Sequence, residues 1–525
     1  MTWYRWYALG LLSVLNILNY VSRNILFALF EPIKRDLALT DTQLGWLASA
    51  YVLVFSIAVL PFGVVSDLRS RRAVVVGGVA LWSTATVLSG LVEGFGQLFV
   101  CRAAVGIGGA AFLTAATSLA ADYFPGKGRA LAMGVLAAGL ALGGGLAYWL
   151  GGHLEVIYGW RAALMAVGLP GFAGAVLAAR LAEPVRPPAA MPLREYLRSL
   201  GVGASAVLSQ CIPLAVGVAI GTVAAVVLDR VYGATSKADV AALGAAVGIG
   251  LALNIRSWVK QSRAAARAGK LVPVQSGESY VPAMLGTAAG GPGPLGDLMR
   301  AAQAVLRTPT LVYVFIAGAL VSFGLNGLLA WAPSLVARVF GLTAGAFADL
   351  LGVPGLAAGI LGSIAGGLLA DWMRRYTDRG RALTVSIGLL IGGPLALWLL
   401  GIRDLDVFVP VFCAAFFFLT WFNGPITAVI FDVVPARISA TVVGAYLLFI
   451  HLAGDTISFP LIGALSDRFG IERAVFLLPA VAVVGGILML AAARTVGSDM
   501  RRARAQEEAT SGRVLRPSPP SSSAA

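Results

Sequence analysis

Charge is scarce in this chain of 525 residues. Only 12% of positions are Asp, Glu, Lys or Arg, against about 25% in an average soluble protein. With 58% apolar residues and so little charge, a water-soluble globule is excluded. Histidine occurs twice and cysteine three times, so the side chains that build most metal centres and disulfide frames are nearly missing. Cys101, Cys211 and Cys413 lie inside apolar blocks, share no ligand spacing and are odd in number, which supports neither a disulfide frame nor zinc and leaves packing as their role. No metal and no cofactor are expected. Alternating ten-residue strands are lacking as well, which excludes a transmembrane barrel.

What is present is glycine, 64 residues of it, and apolar blocks separated by short charged loops. The blocks are about 20 residues long, as a hydrocarbon layer of roughly 30 Å requires of helices, and lipid offers no partner to a backbone left outside a helix. The expected class is an all-α membrane protein. Spans are predicted near 6–30, 43–66, 72–92, 96–122, 130–153 and 160–180, then near 309–337, 345–370, 382–401, 406–431, 439–463 and 474–493. The first run has no cleavage site and is expected to be retained. The organisation that follows is an N-terminal six-helix bundle at 1–180, a bridge at 181–308, a C-terminal six-helix bundle at 309–497 and a disordered cytoplasmic tail at 498–525. Within the bridge, 202–228 and 240–255 are expected to form an extra membrane hairpin followed by a cytoplasmic loop, giving about 14 helices.

The formal charge of +14 invites a nucleic-acid function, but its distribution argues otherwise. With both hairpin segments crossing, 28 of the 39 basic residues fall on one side and 9 on the other. Lys and Arg accumulate on the cytoplasmic side of membrane proteins. Both termini are therefore expected in the cytoplasm, with the chain in the inner membrane of a bacterium.

The loop after the second span, Gly63 to Arg72, has a counterpart after the eighth, Gly367 to Arg375: each places an Asp four residues after the Gly and basic residues soon after. Read once, Asp67 with Arg71 and Arg72 is a solvated turn. Repeated as Asp371 with Arg374 and Arg375, it suggests a charge latch at the ends of two equivalent bundles. The pattern resembles the signature loop of the major facilitator superfamily, and Arg102 through Gly109 resembles that family's fourth-helix motif. Leu18 to Arg23, Trp421 to Pro425 and the run from Ile450 to Asp467 resemble the Spinster-like lipid transporters within it. The resemblance implies the major facilitator fold, two six-helix halves working by alternating access, and an amphipathic substrate such as a lysolipid. It also implies no enzymatic activity. Two departures weaken a proton-linked assignment. Ser22 and Gly109 stand where the family commonly has acids. The coupling ion, H+ or Na+ if there is one, therefore stays open beside facilitated diffusion.

An ionised group within a span is costly enough to be a site candidate. In the first helix Asn16, Asn19, Tyr20 and Arg23 share one face. With Arg102 they are expected to form a cationic wall for an anionic or zwitterionic substrate, Asp455 being the alternative partner of an arginine. On the other side Trp421, Asn423, His451 and Asp455 are candidates for substrate contact. His451 and Asp455, four residues apart, are candidates for ion coupling. His153 reads as structural. The expected partners are membrane lipids and a small amphipathic substrate, with no nucleic acid, and the chain is expected to be a monomer. Two alternatives remain: a permease for a small soluble organic anion or drug, and an intramembrane sensor or lipid-modifying enzyme.

Overall fold

A computed structural model of the chain describes residues 2–68, 70–124, 128–184 and 304–514, all of which belong to one compact unit. The hairpin expected at 202–228 and 240–255 lies outside the described residues, as do most of the bridge and the last eleven residues.

The first half is built from α1 (Thr2–Ala28), the short α2 (Phe30–Asp36), α3 (Asp41–Leu68), α4 (Arg71–Ser89), α5 (Phe95–Tyr123) and α6 (Gly128–Ala178). At 51 residues α6 is about 76 Å of helix, far more than one crossing needs. Gly159 resolves this: at φ 79° it takes a backbone conformation that L residues rarely adopt, and it divides α6 into two crossings. The break falls between the predicted fifth and sixth spans.

The second half begins with α7 (Pro309–Phe340), which Pro309 opens and Gly341 closes in the left-handed conformation. One crossing is α8 (Ala344–Phe347) continued through a π turn into α9 (Val353–Arg374), and the next is α10 (Gly380–Leu399). Then α11 (Leu405–Leu419) joins α12 (Pro425–Val433) through a 3-10 turn, and α13 (Ala436–Ile450) joins α14 (Thr456–Phe469) through the π turn His451–Asp455. After α15 (Ile471–Ala474), α16 (Leu477–Val514) ends the described chain. Among the described residues, eleven helices or helix pairs are long and apolar enough to cross a membrane, α6 counting once. The chain is an integral, multi-pass membrane protein.

Apolar burial does not drive helix association in lipid, so close packing must. Gly45 on α3 shows how: a Cβ there would lie 2.3 Å from the Phe459 carbonyl oxygen on α14, so only glycine permits the contact between the two halves. Gly463 on α14 repeats the device, its would-be Cβ 2.3 Å from the Asp41 carbonyl oxygen. Both contacts lie at the end of the molecule that carries α2, opposite the end that carries residues 2 and 514.

The expected disordered tail from 498 is corrected in part: α16 runs on to Val514. Its extension is tied down because Asp499 accepts from the Thr310 N–H (3.0 Å) and Oγ1 (2.7 Å), while Met500 and Ala503 are buried.

Candidate functional site

The polar face of α1 turns inward. Asn16 donates to the Leu136 carbonyl of α6 at 2.7 Å, and Asn19 is buried with no hydrogen-bond partner for its Nδ2. Arg23 is half-buried, its guanidinium 5.2 Å from the Tyr51 ring centroid and 5.8 Å from that of Tyr20. Among the described residues no carboxylate lies within ion-pair distance of Arg23, and its Nε has no partner. Aromatic faces solvate a cation partly but leave its charge and its donors available. Tyr148 of α6 stands within electrostatic reach of Arg23 and donates to the Leu329 carbonyl of α7 at 2.8 Å, joining the two halves beside this cluster.

Arg102 does something different from what the sequence suggested. It is 1% exposed, and its fork closes on backbone: Nη1 donates to the Ser22 carbonyl at 2.9 Å and Nη2 to the Arg23 carbonyl at 2.7 Å. The expected cationic wall is thus reduced to Arg23, with Arg102 strapping α5 to α1 behind it. The cause is the way the glycine face of α5 is packed. A Cβ on Gly106 would lie 2.7 Å from the Tyr51 carbonyl oxygen, and one on Gly109 would lie 2.9 Å from the Tyr51 hydroxyl and 3.0 Å from Asn19 Nδ2. Those neighbours fill the face and leave Arg102 no opening.

In the second half, the π turn after α13 brings His451 and Asp455 together, His451 Nδ1 donating to Asp455 Oδ2 at 2.7 Å. Asp455 is completely buried. Its Oδ1 accepts from Ser322, and from Asn326 Nδ2 at 2.9 Å, both on α7. The imidazole is the accessible end of the pair, its side chain 29% exposed. π turns inside helices occur often at functional sites. Gly454 adapts this one to α7, since a Cβ there would lie 2.7 Å from the Ala319 carbonyl oxygen. Asp455 bonds neither arginine in this conformation. Ser322 and Asn326 were not singled out from the sequence, although two polar residues four apart in an apolar span are a readable signal.

The remaining candidates are not joined to this cluster. Trp421 is buried in helix packing, against Gly366 of α9 and Gly388 of α10, while the exposed Asn423 donates to Ser363 Oγ at 2.9 Å. Neither makes a hydrogen bond or ring contact with His451 or Asp455 among the described residues.

The latch residues form two clusters at the terminal end, each holding one half together. Arg71 is buried at the start of α4, pairs with Asp122 at the end of α5, lies 3.6 Å from Glu183 and donates to the Pro184 carbonyl at 3.1 Å. Arg72 donates to the Leu181 carbonyl at 3.3 Å. The Asp67 side chain lies outside what is described. In the second half the equivalent of Arg71 is Arg381, not Arg374 or Arg375. Arg381 bonds both oxygens of Asp432, at 2.7 and 2.8 Å, and Asp371 at 3.1 Å. The second loop is longer, so the basic pair adjoining Asp371 is displaced: Arg374 pairs with Asp378 at 2.6 Å and lies 3.8 Å from Asp432, while Arg375 is exposed with no partner among the described residues. The acids Asp122 and Asp432 were missed, although each stands three residues before a proline.

At the α2 end the ion pairs cross between the halves. Arg338, in the last turn of α7, bonds Asp41 twice and Glu31 once, while Lys34 reaches Asp41 at 2.5 Å. Asp467 of α14 caps α3, accepting from the N–H groups of Asp41 and Thr42 at 2.8 Å each. His153 also belongs here, its Nε2 3.5 Å from Asp349 across the halves. It was read as structural, and its contact is one more of those that join the two halves at this end.

A family model for the Major Facilitator Superfamily matches residues 12–454. The chain belongs to that superfamily. Spinster-like members are among its relatives, as the resemblance of the run from Ile450 to Asp467 implied. Protein spinster of Drosophila melanogaster is 28% identical over 183 residues, 35% of this chain but only 30% of that protein. The sphingosine-1-phosphate transporter SPNS2 of Mus musculus is 26% identical over 531 aligned residues, covering 95% of this chain and 78% of that one. The major facilitator fold is shared with the crystal structure of a bacterial homologue of the human lysosomal transporter Spinster, in an inward-facing and unoccupied conformation. The TM-score is 0.69 at 20% identity, over 94% of this chain and 98% of that one.

Proposed function

We propose that this superfamily member is a secondary transporter moving an amphipathic anionic or zwitterionic molecule, such as a lysolipid, by alternating access between its halves. One observation carries the reading: Arg23 is held between Tyr20 and Tyr51 with no carboxylate partner, beside the unpartnered amide of Asn19. An unpaired guanidinium in a membrane span is expensive unless an anion completes it, and a phosphate or carboxylate does so with paired hydrogen bonds. The lipid character of the substrate rests on the relatives named above.

Alternating access is supported by the unlike ends. Cross-half ion pairs and glycine contacts shut the α2 end, while the Arg71 and Arg381 clusters each stabilise a single half, so parting the halves at the terminal end breaks neither cluster. The halves 1–180 and 309–497 act as the moving bodies, in a monomer, in the inner membrane of a bacterium with both termini cytoplasmic. Transport is favoured over catalysis because Ser322 donates to the fully buried Asp455 and not to His451, so among the described residues no hydroxyl is hydrogen-bonded to the accessible imidazole.

Counterflow into proteoliposomes tests the function, with labelled lysophospholipid and a labelled soluble carboxylate compared side by side. Saturable lysolipid uptake that Arg23→Gln abolishes supports the proposal. Uptake of the carboxylate alone favours the soluble-anion permease, and lysolipid uptake at wild-type rate in Arg23→Gln removes the assigned site.

A further inference from the structure

At the terminal end, away from Arg23 and His451, a cavity of about 330 Å³ opens between the turn preceding α7, the junction of α12 with α13, and the extension of α16. Its floor is apolar, formed by Val433, Ile438 and Ala503, and its lip carries Arg307 and Arg502. Arg307 is exposed and has no partner among the described residues. Arg502 is 69% exposed and meets Asp499 only at 3.4 Å. That carboxylate is already engaged, since Asp499 is 2% exposed and its Oδ2 accepts both the N–H and the hydroxyl of Thr310. The first turn of α7 is thereby capped from within the protein; the Arg307 fork is left to receive an anion from outside, and Arg502, whose Nη1 reaches Asp499 Oδ1 at 3.4 Å, keeps its other donors for the same anion.

We propose that this groove binds the head group of an anionic phospholipid from the leaflet on the terminal side. The shape and the charge agree. Pro309 starts the span of α7 directly beside the cavity, which places the two arginines at the depth where phosphates lie. A phosphodiester oxygen pair matches the guanidinium fork, and the glycerol and first methylenes of the acyl chains meet the apolar floor. Arg501 and Arg504 stand on the same exposed helix extension, and basic residues just beyond a span attract anionic lipid. A zwitterionic head group brings an ammonium to the same lip, where two cations oppose it. The bound lipid would brace α7 against α16 and the α12–α13 junction, and so act on the second half as a unit.

The shared chemistry is a phosphate, so the test separates a lipid head group from a free ion. The full chain is purified in detergent and its thermal unfolding is followed with dioleoyl phosphatidylglycerol, dioleoyl phosphatidylcholine, glycerol 3-phosphate or inorganic phosphate added. Phosphatidylglycerol is expected to raise the midpoint by at least about 3 °C, and the other three to leave it in place. The shift is expected to fall by more than half in the double variant Arg307→Gln/Arg502→Gln and in Ala503→Trp, which fills the groove. It is expected to persist in Arg379→Gln, which removes an exposed charge at the same end. An undiminished shift in both groove variants, or an equal shift with phosphatidylcholine, overturns the site. An equal shift with inorganic phosphate or glycerol 3-phosphate overturns the lipid assignment. Should the groove variants fail to fold, a photoreactive phosphatidylglycerol applied to the wild-type chain decides. Label in peptides containing 304–308 or 499–506 supports the site, and label confined elsewhere overturns it. No transport is measured, so failure here leaves the proposed function standing.

Discussion

Arg338 grips Asp41 with two parallel hydrogen bonds, Nη1 to Oδ2 and Nη2 to Oδ1, each 2.7 Å long, and so fastens the last turn of α7 to the first turn of α3. The carboxylate is 2% exposed, and Lys34 and the Ser466 hydroxyl complete its shell. Planar, bidentate pairs of this kind are the strong ones, and this one spans the two halves.

Arg338→Gln is expected to loosen the α2 end. The variant keeps a hydrogen-bonding side chain but loses the fork, leaving Asp41 with Lys34 and Ser466. At a quarter exposure of the arginine the loss is on the order of 1.5–3 kcal/mol, or roughly 10- to 150-fold in the balance between shut and open ends. Spin labels at positions 35 and 407, one in each half on a cysteine-free background, read the separation. A longer, broader distance distribution than in the wild type is expected, and an unchanged one shows that the glycine contacts alone keep this end shut.

Arg102→Lys separates stability from recognition. One ammonium cannot reach the Ser22 and Arg23 carbonyls with the geometry of a guanidinium, so one bond is lost in a fully buried place, at a cost of about 1–3 kcal/mol. The thermal midpoint is expected to fall by several degrees while the KM of the folded fraction stays put, because Arg102 faces backbone. Arg23→Lys is expected to do the reverse. A raised KM in Arg102→Lys at wild-type stability contradicts the strap.

The difference between these two arginines marks where the sequence stops being informative. Periodicity alone put Asn16, Asn19, Tyr20 and Arg23 on one face, because a regular helix fixes that relation locally. The direction of Arg102 depends on how closely α5 approaches α1 and α3, which Gly106 and Gly109 permit but do not announce. His451 and Asp455 were legible for the local reason. Their partners Ser322 and Asn326 come from a helix about 130 residues away, at separations of 133 and 129. Arg338 and Asp41 are 297 residues apart and read singly as ordinary charges at span ends. The loop repeat showed that the halves correspond, yet a loop of different length moved the second latch from Arg375 to Arg381.

Acid is expected to loosen the turn that carries α2. Arg161 holds the Asp36 carboxyl below the usual carboxylate range by a hydrogen bond, aided by Trp160 Nε1 at 3.1 Å. A lowered acid contributes fully above its unfolded value, near 3.9 for aspartate, and loses that contribution as pH falls through the lowered one. Amide exchange across residues 30–40, corrected for intrinsic rates, is therefore expected to be flat from about pH 7 to about pH 5 and to rise only in stronger acid. Asp36→Asn is expected to exchange faster throughout. A rise in the wild type already between pH 7 and 5 means that another group controls the turn.

His451 and Asp455 are expected to divide their labour. Three donors converge on the Asp455 carboxylate, two from α7 and one from the imidazole, so the acid anchors the π turn while the ring is the accessible end of the pair. His451→Gln keeps an amide donor for Asp455 but cannot carry a proton at any working pH. It is expected to retain counterflow, where substrate exchanges for substrate, and to lose the response to an imposed pH gradient. Asp455→Asn also disturbs Ser322 and Asn326 and is expected to depress counterflow and gradient-driven uptake together, with a lower thermal midpoint. Counterflow and gradient-driven uptake measured in the same proteoliposomes distinguish the two patterns. A full gradient response in His451→Gln assigns coupling to another group. A wild-type chain that ignores both pH and Na+ gradients makes this chain a facilitator, in which the pair serves only to hold α7 against the π turn.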